Sequence, residues 1–345
     1  MNRKELSNAL ELANKCLVEN KIIPIFGHLC FDKVNIQSFN GVQGISVPFD
    51  SGLEFTVKGD LFTNLVDSFS SELIDLQKGT DVVTLKQGKS SNKVVVQDNS
   101  TFISPFPKVR KGRKISIDEK FIEGMKKCLV IADKSSVKES QNGVTIMSSP
   151  KGFFMYSTDG ARIARYNIGS VSPDTFSFLL PDKFCRLLVN LFTTGTATIE
   201  VDTDYAIATL VDCELFTHIN TNVKLENFDG AFSRYKVDSL VYETVPDLFR
   251  EAVGRGSIVT KASKRKKMSL TLDTNKVKVE VFSSQAEIEE EIDLTTTFQA
   301  RFDVDIDLLA GLLSVVTDIS FMKVDKGYII AGSGDDFVTI LGTSV

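Results

Sequence analysis

Histidine and cysteine are scarce in this chain of 345 residues. The two histidines, His28 and His218, are isolated, which excludes a histidine-rich metal site and leaves a Ser-His-Asp triad dependent on a single imidazole. The five cysteines are odd in number and form no CxxC pair. We therefore expect buried, reduced thiols and histidines in structural or surface positions.

Long hydrophobic runs are also missing. A membrane helix needs roughly 18 uninterrupted apolar residues, and even the stretch FSFLLPDKFCRLLVNLF contains proline, aspartate, lysine and arginine. The N-terminal sequence MNRKELSNALELANKC alternates charged residues with leucine and has no signal-peptide core. The sequence predicts a cytoplasmic protein with no membrane partner.

The signatures of phosphate-binding loops and catalytic sites are absent as well. QGKSS at 87–91 resembles the end of a Walker loop, but Val83 stands where that motif needs glycine, so a polar hairpin turn is favoured. The acidic stretches EIEEEID (287–293) and FDVDIDL (302–308) are better explained by a strand with a charged edge followed by a capped helix than by a cation site. We expect no metal, no cofactor and no enzymatic activity.

The composition, 42% hydrophobic and 25% charged, is typical of a globular protein. Because single cores stop growing near roughly 250 residues, the length indicates several domains. The net charge is −5 overall, although residues 1–114 carry +3. If the protein holds nucleic acid, its positive charge must therefore be local.

An internal repeat supports this division. The segments DLFTNLVDSF, DKFCRLLVNL and DLLAGLLSVV begin at Asp60, Asp182 and Asp307, at spacings of 122 and 125 residues. Apolar residues at i, i+3, i+4 and i+7 predict one amphipathic helix in each segment, with the first aspartate as its cap. The near-equal spacing predicts three similar domains.

A second helix opens each unit, with Leu6, Phe121 and Leu248 as the expected buried anchors. The remaining segments are short β-branched and aromatic runs separated by turn residues. We predict an α+β fold of three tandem similar domains at 1–114, 115–236 and 237–345, each with two helices packed on antiparallel sheets.

The outward faces of the opening helices carry basic residues, namely Lys4 and Lys15, Lys126 and Lys127, and Arg250 and Arg255. Basic clusters also lie at 108–114, near the first predicted domain join, and at 264–267. These clusters could contact phosphates or form solvated linkers.

Four segments together resemble the bacterial-type DNA polymerase sliding clamp family. They are IIPIFGHLCF (22–31), NGVTIM followed by STDGARIA, FLLPDKFCRLL, and FDVDIDLLAGLL. The resemblance runs in order along essentially the whole chain, and Thr-Asp-Gly-x-Arg at 158–162 is its most specific element.

The resemblance implies a non-enzymatic processivity factor. Two chains would close head to tail into a ring of six domains around duplex DNA, without reading its sequence. A DNA polymerase and an ATP-driven clamp loader would be its partners. The candidate DNA-facing residues are Lys4, Lys15, Lys126, Lys127, Arg186, Arg250 and Arg255.

The resemblance also places a peptide-binding groove at the STDGARIA segment, for a partner peptide of glutamine and bulky apolar residues. The candidate groove residues are Thr158, Gly160, Ala161, Arg162, Ile163, Ile340 and Leu341. Arg162 would either bind the peptide or brace the rim, and Asp159-Gly160 would also turn a hairpin.

Three features depart from the family pattern. Ala161 replaces a common histidine, Gln141 replaces an apolar groove residue, and the chain ends in Gly-Thr-Ser-Val. These departures suit a bacteriophage clamp with its own peptide specificity. Two other classes of function stay open, a monomeric DNA-associated scaffold without a ring and a nuclease or hydrolase using the acids from Asp293 to Asp307.

Overall fold

The computed structural model describes residues 1–169, 174–195, 197–261 and 266–343. The chain divides into two compact units, the first of Met1–Glu119 with Asn190–Thr221 and the second of Lys120–Val189 with Asn222–Val345. Lys264 and Arg265 of the second basic cluster, and the last two residues of the C-terminal sequence, lie outside the described residues. The three domain boundaries stay a prediction.

The predicted pair of helices in each third of the chain is confirmed, and one further helix, α5, follows the second pair. The α-helices of the described residues are α1 (Arg3–Asn14), α2 (Gly59–Asp67), α3 (Glu119–Ile131), α4 (Asp182–Leu191), α5 (Phe228–Tyr235), α6 (Asp247–Thr260) and α7 (Ile306–Leu313).

One antiparallel sheet of eleven strands organises the first unit, in the order β5-β6-β7-β4-β1-β2-β3-β15-β14-β13-β8. Helix α1 packs against α2, β2 and β3 of this unit. The strands are β1 (His28–Asp32), β2 (Asn35–Phe39), β3 (Gln43–Pro48), β4 (Glu54–Lys58), β5 (Asp75–Lys78), β6 (Val82–Gln87), β7 (Ser90–Gln97), β8 (Arg113–Ile117), β13 (Ala197–Val201), β14 (Tyr205–Thr209) and β15 (Glu214–His218).

The second unit contains two antiparallel sheets, of eight strands in the order β12-β9-β10-β11-β23-β22-β21-β16 and of four strands in the order β19-β18-β17-β20. Helix α6 packs on α7, β18 and β19, and α7 contacts β20 and β23. The strands are β9 (Gly143–Ser149), β10 (Gly152–Thr158), β11 (Arg162–Gly169), β12 (Phe176–Pro181), β16 (Glu243–Thr244), β17 (Lys267–Asp273), β18 (Lys276–Phe282), β19 (Glu287–Asp293), β20 (Ala300–Asp305), β21 (Asp318–Val324), β22 (Gly327–Gly334) and β23 (Phe337–Gly342). The predicted α+β class with antiparallel sheets is thus confirmed.

The predicted helix caps need correction, although the three repeated segments are helices as expected. Asp60 and Asp307 lie inside the first turns of α2 and α7, whose N-cap residues are Lys58 and Asp305. Of the two N-cap residues, only Asp305 caps its helix with its side chain. That side chain accepts from the backbone N–H groups of residues 307 and 308. A side chain reaches those N–H groups from the extended N-cap position, which in both helices lies two residues earlier than the sequence pattern indicated.

The predicted anchor of α6 is also wrong by one residue. Leu6 and Phe121 are buried as expected, but Leu248 is 59% exposed and Phe249 is fully buried in its place. The buried stripe of α6 continues through Ala252, Val253 and Gly256. Helical spacing favours Phe249, because Ala252 and Val253 follow it at i+3 and i+4, whereas Leu248 has Glu251 at i+3.

The acidic segments form the predicted charged strand and capped helix. EIEEEID is β19, an edge strand of the four-stranded sheet, and FDVDIDL runs from β20 into α7 with Asp305 as the cap. The QGKSS segment is a hairpin in which Gln87 pairs with Ser90 and Gly88 has a φ of 56°. In the part of the chain described, no group of three or more His, Cys, Asp or Glu side chains is placed to hold a metal ion.

The basic segment at 108–114 is tied to the sheet of the first unit. Arg110 makes a bidentate ion pair with Glu214, with N–O distances of 2.7 and 2.6 Å, and the Gly112 N–H donates to Glu200 at 3.1 Å. A Cβ at Gly112 would lie 2.7 Å from the Val201 carbonyl oxygen, so the close approach requires glycine. The segment is therefore held by acids rather than freely solvated.

The predicted buried thiols are confirmed, since all five cysteines are free and buried. The Nδ1 of His28 lies 2.9 Å from the Pro24 carbonyl oxygen, and the His218 ring packs edge-on against Phe216. None of the described helices is long and apolar enough to cross a membrane.

Candidate functional site

The turn at Thr158–Arg162 is held by its own side chains. The Thr158 hydroxyl donates to the Arg162 carbonyl at 2.6 Å and accepts from the Gly160 N–H at 3.0 Å. One oxygen of Asp159 accepts from the N–H groups of Ala161 and Arg162, at 3.0 and 2.6 Å. Gly160 has a φ of 87°, which favours glycine, and the four hydrogen bonds hold the chain in this turn.

Arg162 braces this turn against two helices. Its Nε donates to Asp159 at 2.8 Å, while Nη1 donates to the Leu308 carbonyl at 3.1 Å and Nη2 to the Val130 carbonyl at 3.3 Å. The side chain is only 8% exposed. Val130 lies in the last turn of α3, where carbonyl groups lack helical partners, so of the two roles considered for Arg162 the contacts favour bracing.

Gly311 of α7 makes room for this guanidinium. A Cβ at that position would lie 2.5 Å from Nη1 of Arg162. Any larger residue would move the arginine away from the Leu308 carbonyl. The glycine in the helix is therefore a packing requirement of the turn.

The candidate groove residues divide between the two faces of one sheet. Ile163 pairs with Ile340, and Arg162 pairs with Leu341, across the junction of β11 and β23. Successive strand residues point to opposite faces, so Ile163 and Ile340 share one face while Arg162 and Leu341 share the other. Ala161 lies just before β11 and is exposed.

The face of Ile163 and Ile340 carries an aromatic cluster. Phe228 of α5 stacks on Tyr156 with 4.8 Å between ring centroids, and Phe232 lies 6.3 Å from the same ring. Ile340 is buried in this cluster, while Ile163, Leu240 and Tyr242 are partly exposed around it. We name this surface the α5 face.

Helix α5 was missed by the sequence analysis. Its signals were present, because Asn227 caps it through the Gly230 N–H and Phe228 and Phe232 have helical spacing. The segment lies just before the predicted domain boundary at residue 236, and no helix was predicted there.

Gln141, the departure expected in the groove, packs beneath the turn. Its Oε1 accepts from the Ser136 hydroxyl at 2.9 Å, and its Nε2 would lie 3.1 Å from a Cβ at Gly160. A polar side chain is thus accommodated where the family pattern has an apolar one.

A second surface brings together residues that had been assigned to different roles. Ala161 and Arg162 of the groove set and Arg186 of the DNA set line one cleft of about 510 Å³, beside the end of α3. Arg186 forms an ion pair with Asp182 at 2.8 Å and donates to the Leu129 carbonyl at 3.2 Å.

Three other basic candidates are also bound within the second unit. Lys127 contacts Glu123 at 2.9 Å and lies over the Tyr166 ring, and Arg250 donates to the carbonyls of Leu313 and Val316. Arg255 forms ion pairs with Glu251 and Glu290. The hydrogen bond to Glu290, followed by the one to Glu251, raises the pKa of its guanidinium.

Three lysines differ from this group. Lys4, Lys15 and Lys126 are exposed, and their amines have no ion pair or hydrogen bond within the described residues. Lys183, one turn before Arg186 on α4, is also exposed and was not singled out. Its position in the repeated helix, opposite the buried stripe, was the available signal.

Comparison with solved structures identifies the fold. The chain matches the DNA polymerase III subunit beta of Pseudomonas aeruginosa with a TM-score of 0.83 and 18% identity, covering 99% of this chain and 98% of that one. The putative DNA polymerase III beta subunit of Eubacterium rectale matches with a TM-score of 0.86 and 11% identity, and the DNA polymerase beta subunit of Streptococcus pyogenes with 0.83 and 16%, each at the same coverage. This chain has the fold of these clamp proteins over its whole length.

Sequence comparison is consistent with the structural match but weaker. The beta sliding clamp of Mycoplasma genitalium is 21% identical, over 54% of this chain and 54% of that protein, so the chain spans about half the length of this curated relative. No protein-family model matches the chain.

Proposed function

We propose that this protein is a DNA sliding clamp, a non-enzymatic ring that encircles duplex DNA and tethers a DNA polymerase to it. The observation that carries the proposal is the match of fold along nearly the whole chain to DNA polymerase III beta subunits. A ring needs no catalytic group and no sequence readout, since topology retains it and weak phosphate contacts let it slide.

The strand pairings support a head-to-tail homodimer. Two equivalent junctions lie within the chain, β3 with β15 in the first unit and β11 with β23 in the second. In each, the third strand of one sheet pairs with the last strand of the next predicted domain. The equivalent third junction would join β19 to β7, which do not pair with each other in one chain.

The free edges have complementary character. β19 is an edge strand, and it exposes Glu287, Glu289 and Glu291. β7 pairs with β4 only through Val96 and Gln97, so the rest of its edge is available. That part exposes Lys93 and Val95, the latter at 74%. We propose that β19 of one protomer pairs with β7 of the other.

The proposed DNA contacts follow from which basic residues already have a partner within the chain and which do not. We propose that Lys4, Lys15, Lys126 and Lys183 face DNA with free amines. The other four basic residues already have partners within the chain, so they would contribute mainly through longer-range electrostatic attraction. They are Lys127, Arg186, Arg250 and Arg255. Few unpaired cations suit a protein that must hold DNA loosely.

We further propose that the α5 face receives the partner peptide. Thr158, Ile163 and Ile340 share this face, and partly exposed apolar side chains surround it. The turn from Thr158 to Arg162 would form its rim, with Gly160 and Ala161 at the tip and Leu341 supporting it from behind. A polymerase and a clamp loader would compete for this face, in the cytoplasm.

The decisive experiment combines light scattering with DNA retention. We expect a dimer that, once loaded, stays on circular DNA and leaves linear DNA at the ends. A monomer that is retained equally on both would support the DNA-associated scaffold and would exclude the clamp.

The proposed interface has a matched test. The double substitution Lys93→Glu and Val95→Glu places like charges against β19, so we expect monomers and loss of retention on circles. Lys78→Glu changes the same charge on β5, an exposed edge outside the proposed interface, and should remain dimeric. Dimers of the double variant would contradict the β19–β7 pairing.

A further inference from the structure

A charged cleft adjoins the α5 face on the same side of the sheet. Its volume is about 550 Å³, and its lining includes Lys151, Phe154, Arg165, Asp229, Phe232 and Asp238. Arg165 pairs with Val338 two residues along from the pair of Ile163 and Ile340. At a strand rise of about 3.3 Å per residue, its Cα therefore lies roughly 7 Å from that of Ile163, on the same face.

Arg165 is held in place by aromatic rings. Its guanidinium carbon lies 4.8 Å from the ring centroid of Phe232 and 5.5 Å from that of Phe154. The side chain is 18% exposed. A planar guanidinium between rings keeps a fixed orientation and can present two N–H groups to one carboxylate, which a lysine amine cannot do.

The partner of Arg165 within the chain is easily exchanged. Asp238 forms the ion pair with Arg165, yet its side chain is 70% exposed. An exposed carboxylate loses little by returning to water, because the solvent already screens much of its attraction to the guanidinium. Asp238 follows Lys236, whose φ of 45° places it in the left-handed region at the end of α5.

The other acids of the cleft already have partners. Asp229 accepts from the Tyr156 hydroxyl at 2.7 Å and from Lys151 at 3.2 Å. Asp336 forms an ion pair with Lys120 at 2.7 Å. The Arg165 guanidinium is therefore the group of this cleft that an incoming carboxylate can take over by displacing a solvated one.

We propose that Arg165 is a specificity residue of the partner site, and that it binds a carboxylate side chain of the incoming peptide in place of Asp238. The peptide would set its bulky apolar residue near Ile163 and an aspartate or glutamate one to three residues away. This inference rests on the proposed peptide site of the α5 face and adds the class of partner residue to it.

The test uses synthetic peptides as probes. Fluorescein-labelled ten-residue peptides carry a glutamine and two bulky apolar residues, with one aspartate at each position within three residues of the apolar pair in turn. Each has a twin with asparagine instead, and fluorescence anisotropy measures Kd against the full chain. We expect one aspartate position to bind about 10-fold more tightly than its asparagine twin, the size of one charge-assisted contact.

Variants assign that difference to Arg165. Arg165→Gln should abolish the preference, so that each aspartate peptide and its asparagine twin bind with equal Kd, and Asp238→Asn should tighten the aspartate peptide several-fold. Lys151→Gln is the control, since it removes a positive charge from the same cleft without touching the stacked guanidinium, and the preference should persist. Equal Kd values for twins at every position, or a preference that survives Arg165→Gln, would overturn the proposal.

Failure of this inference and failure of the clamp can be told apart. A chain that is retained on circular DNA but shows no aspartate preference lacks the Arg165 subsite and remains a clamp. A chain that binds no peptide and dissociates equally from circular and linear DNA is not a clamp and has no Arg165 subsite.

Discussion

Arg162 and Arg165 lie three residues apart on β11 and point to opposite faces of the same sheet. Arg162 makes hydrogen bonds to Asp159, Leu308 and Val130 beneath α3 and α7. Arg165 lies between two phenylalanine rings on the α5 face, with one solvated aspartate as its ion-pair partner. Identical side chains thus serve as a permanent brace on one face and as an exchangeable contact on the other.

The helix that packs on each face of the sheet therefore decides the role of the arginine there. Helices α3 and α7 bring backbone carbonyls, which cannot leave, so Arg162 is locked. Helix α5 brings aromatic rings instead and leaves Arg165 beside an open cleft. A buried guanidinium with three fixed acceptors stabilises the fold, whereas one whose partner is exposed to solvent is available for binding.

Truncating each arginine should give the largest contrast. We expect Arg162→Ala to lower the free energy of unfolding by about 3 kcal/mol, because it strands a buried carboxylate and two helix carbonyls. Arg165→Ala should cost about 1 kcal/mol, since it loses ring contacts and an ion pair whose carboxylate is exposed. Urea titrations of both variants measure this; equal losses would remove the distinction between the two faces.

Replacing Gly311, which packs against the Arg162 guanidinium, should change the free energy of unfolding by a smaller amount. Gly254, which has open space around it, is the control. Gly254→Ala on α6 meets nothing within 4 Å and should stabilise by about 0.5–1 kcal/mol through helix propensity. Gly311→Ala should instead destabilise by about 1 kcal/mol, because its Cβ displaces the Arg162 guanidinium. In an Arg162→Ala background Gly311→Ala should become stabilising, and a double-mutant cycle without that reversal would contradict the packing argument.

The α5 face should show its own dependence on alkaline pH. Burial and the Asp229 carboxylate raise the pKa of the Tyr156 phenol above its ordinary value of 10.0. A raised folded pKa means that the stabilisation is complete below the unfolded pKa and is lost as pH rises above about 10. Tyr156→Phe should remove up to about 1.4 kcal/mol per pH unit of that slope, and identical slopes in the two proteins would disprove it.

The elements that the sequence predicted share a local physical cause. Six of the seven α-helices within the described residues were predicted from apolar stripes of helical period, and the hairpin at Gly88 follows from turn residues. Errors occurred where the apolar stripe was placed one residue out of phase, as with Leu248 and Phe249, or where a neighbouring aspartate was the cap, as with Asp305 and Asp307.

The candidate site was predicted less completely. The Thr158–Arg162 segment was recognised from its motif, but Ile340 and Leu341 were assigned to one groove although they point to opposite faces. The ion pairs of Arg186 and Arg255 and the bonds from Arg250 to backbone carbonyls were not foreseen. A helical pattern indicates that such a residue faces away from the core. It does not indicate whether a carboxylate or a backbone carbonyl lies within hydrogen-bond distance of the side chain.

The sequence by itself determined the α+β class, the repeated helix pairs, the buried thiols and the acidic edge strand, because each depends on residues close together in the chain. Only the tertiary structure decided that Arg162 meets a carbonyl 146 residues away while Arg165 meets two rings and an exposed acid. Such pairings depend on which elements the fold brings together, and an arginine offers the same donors to every acceptor.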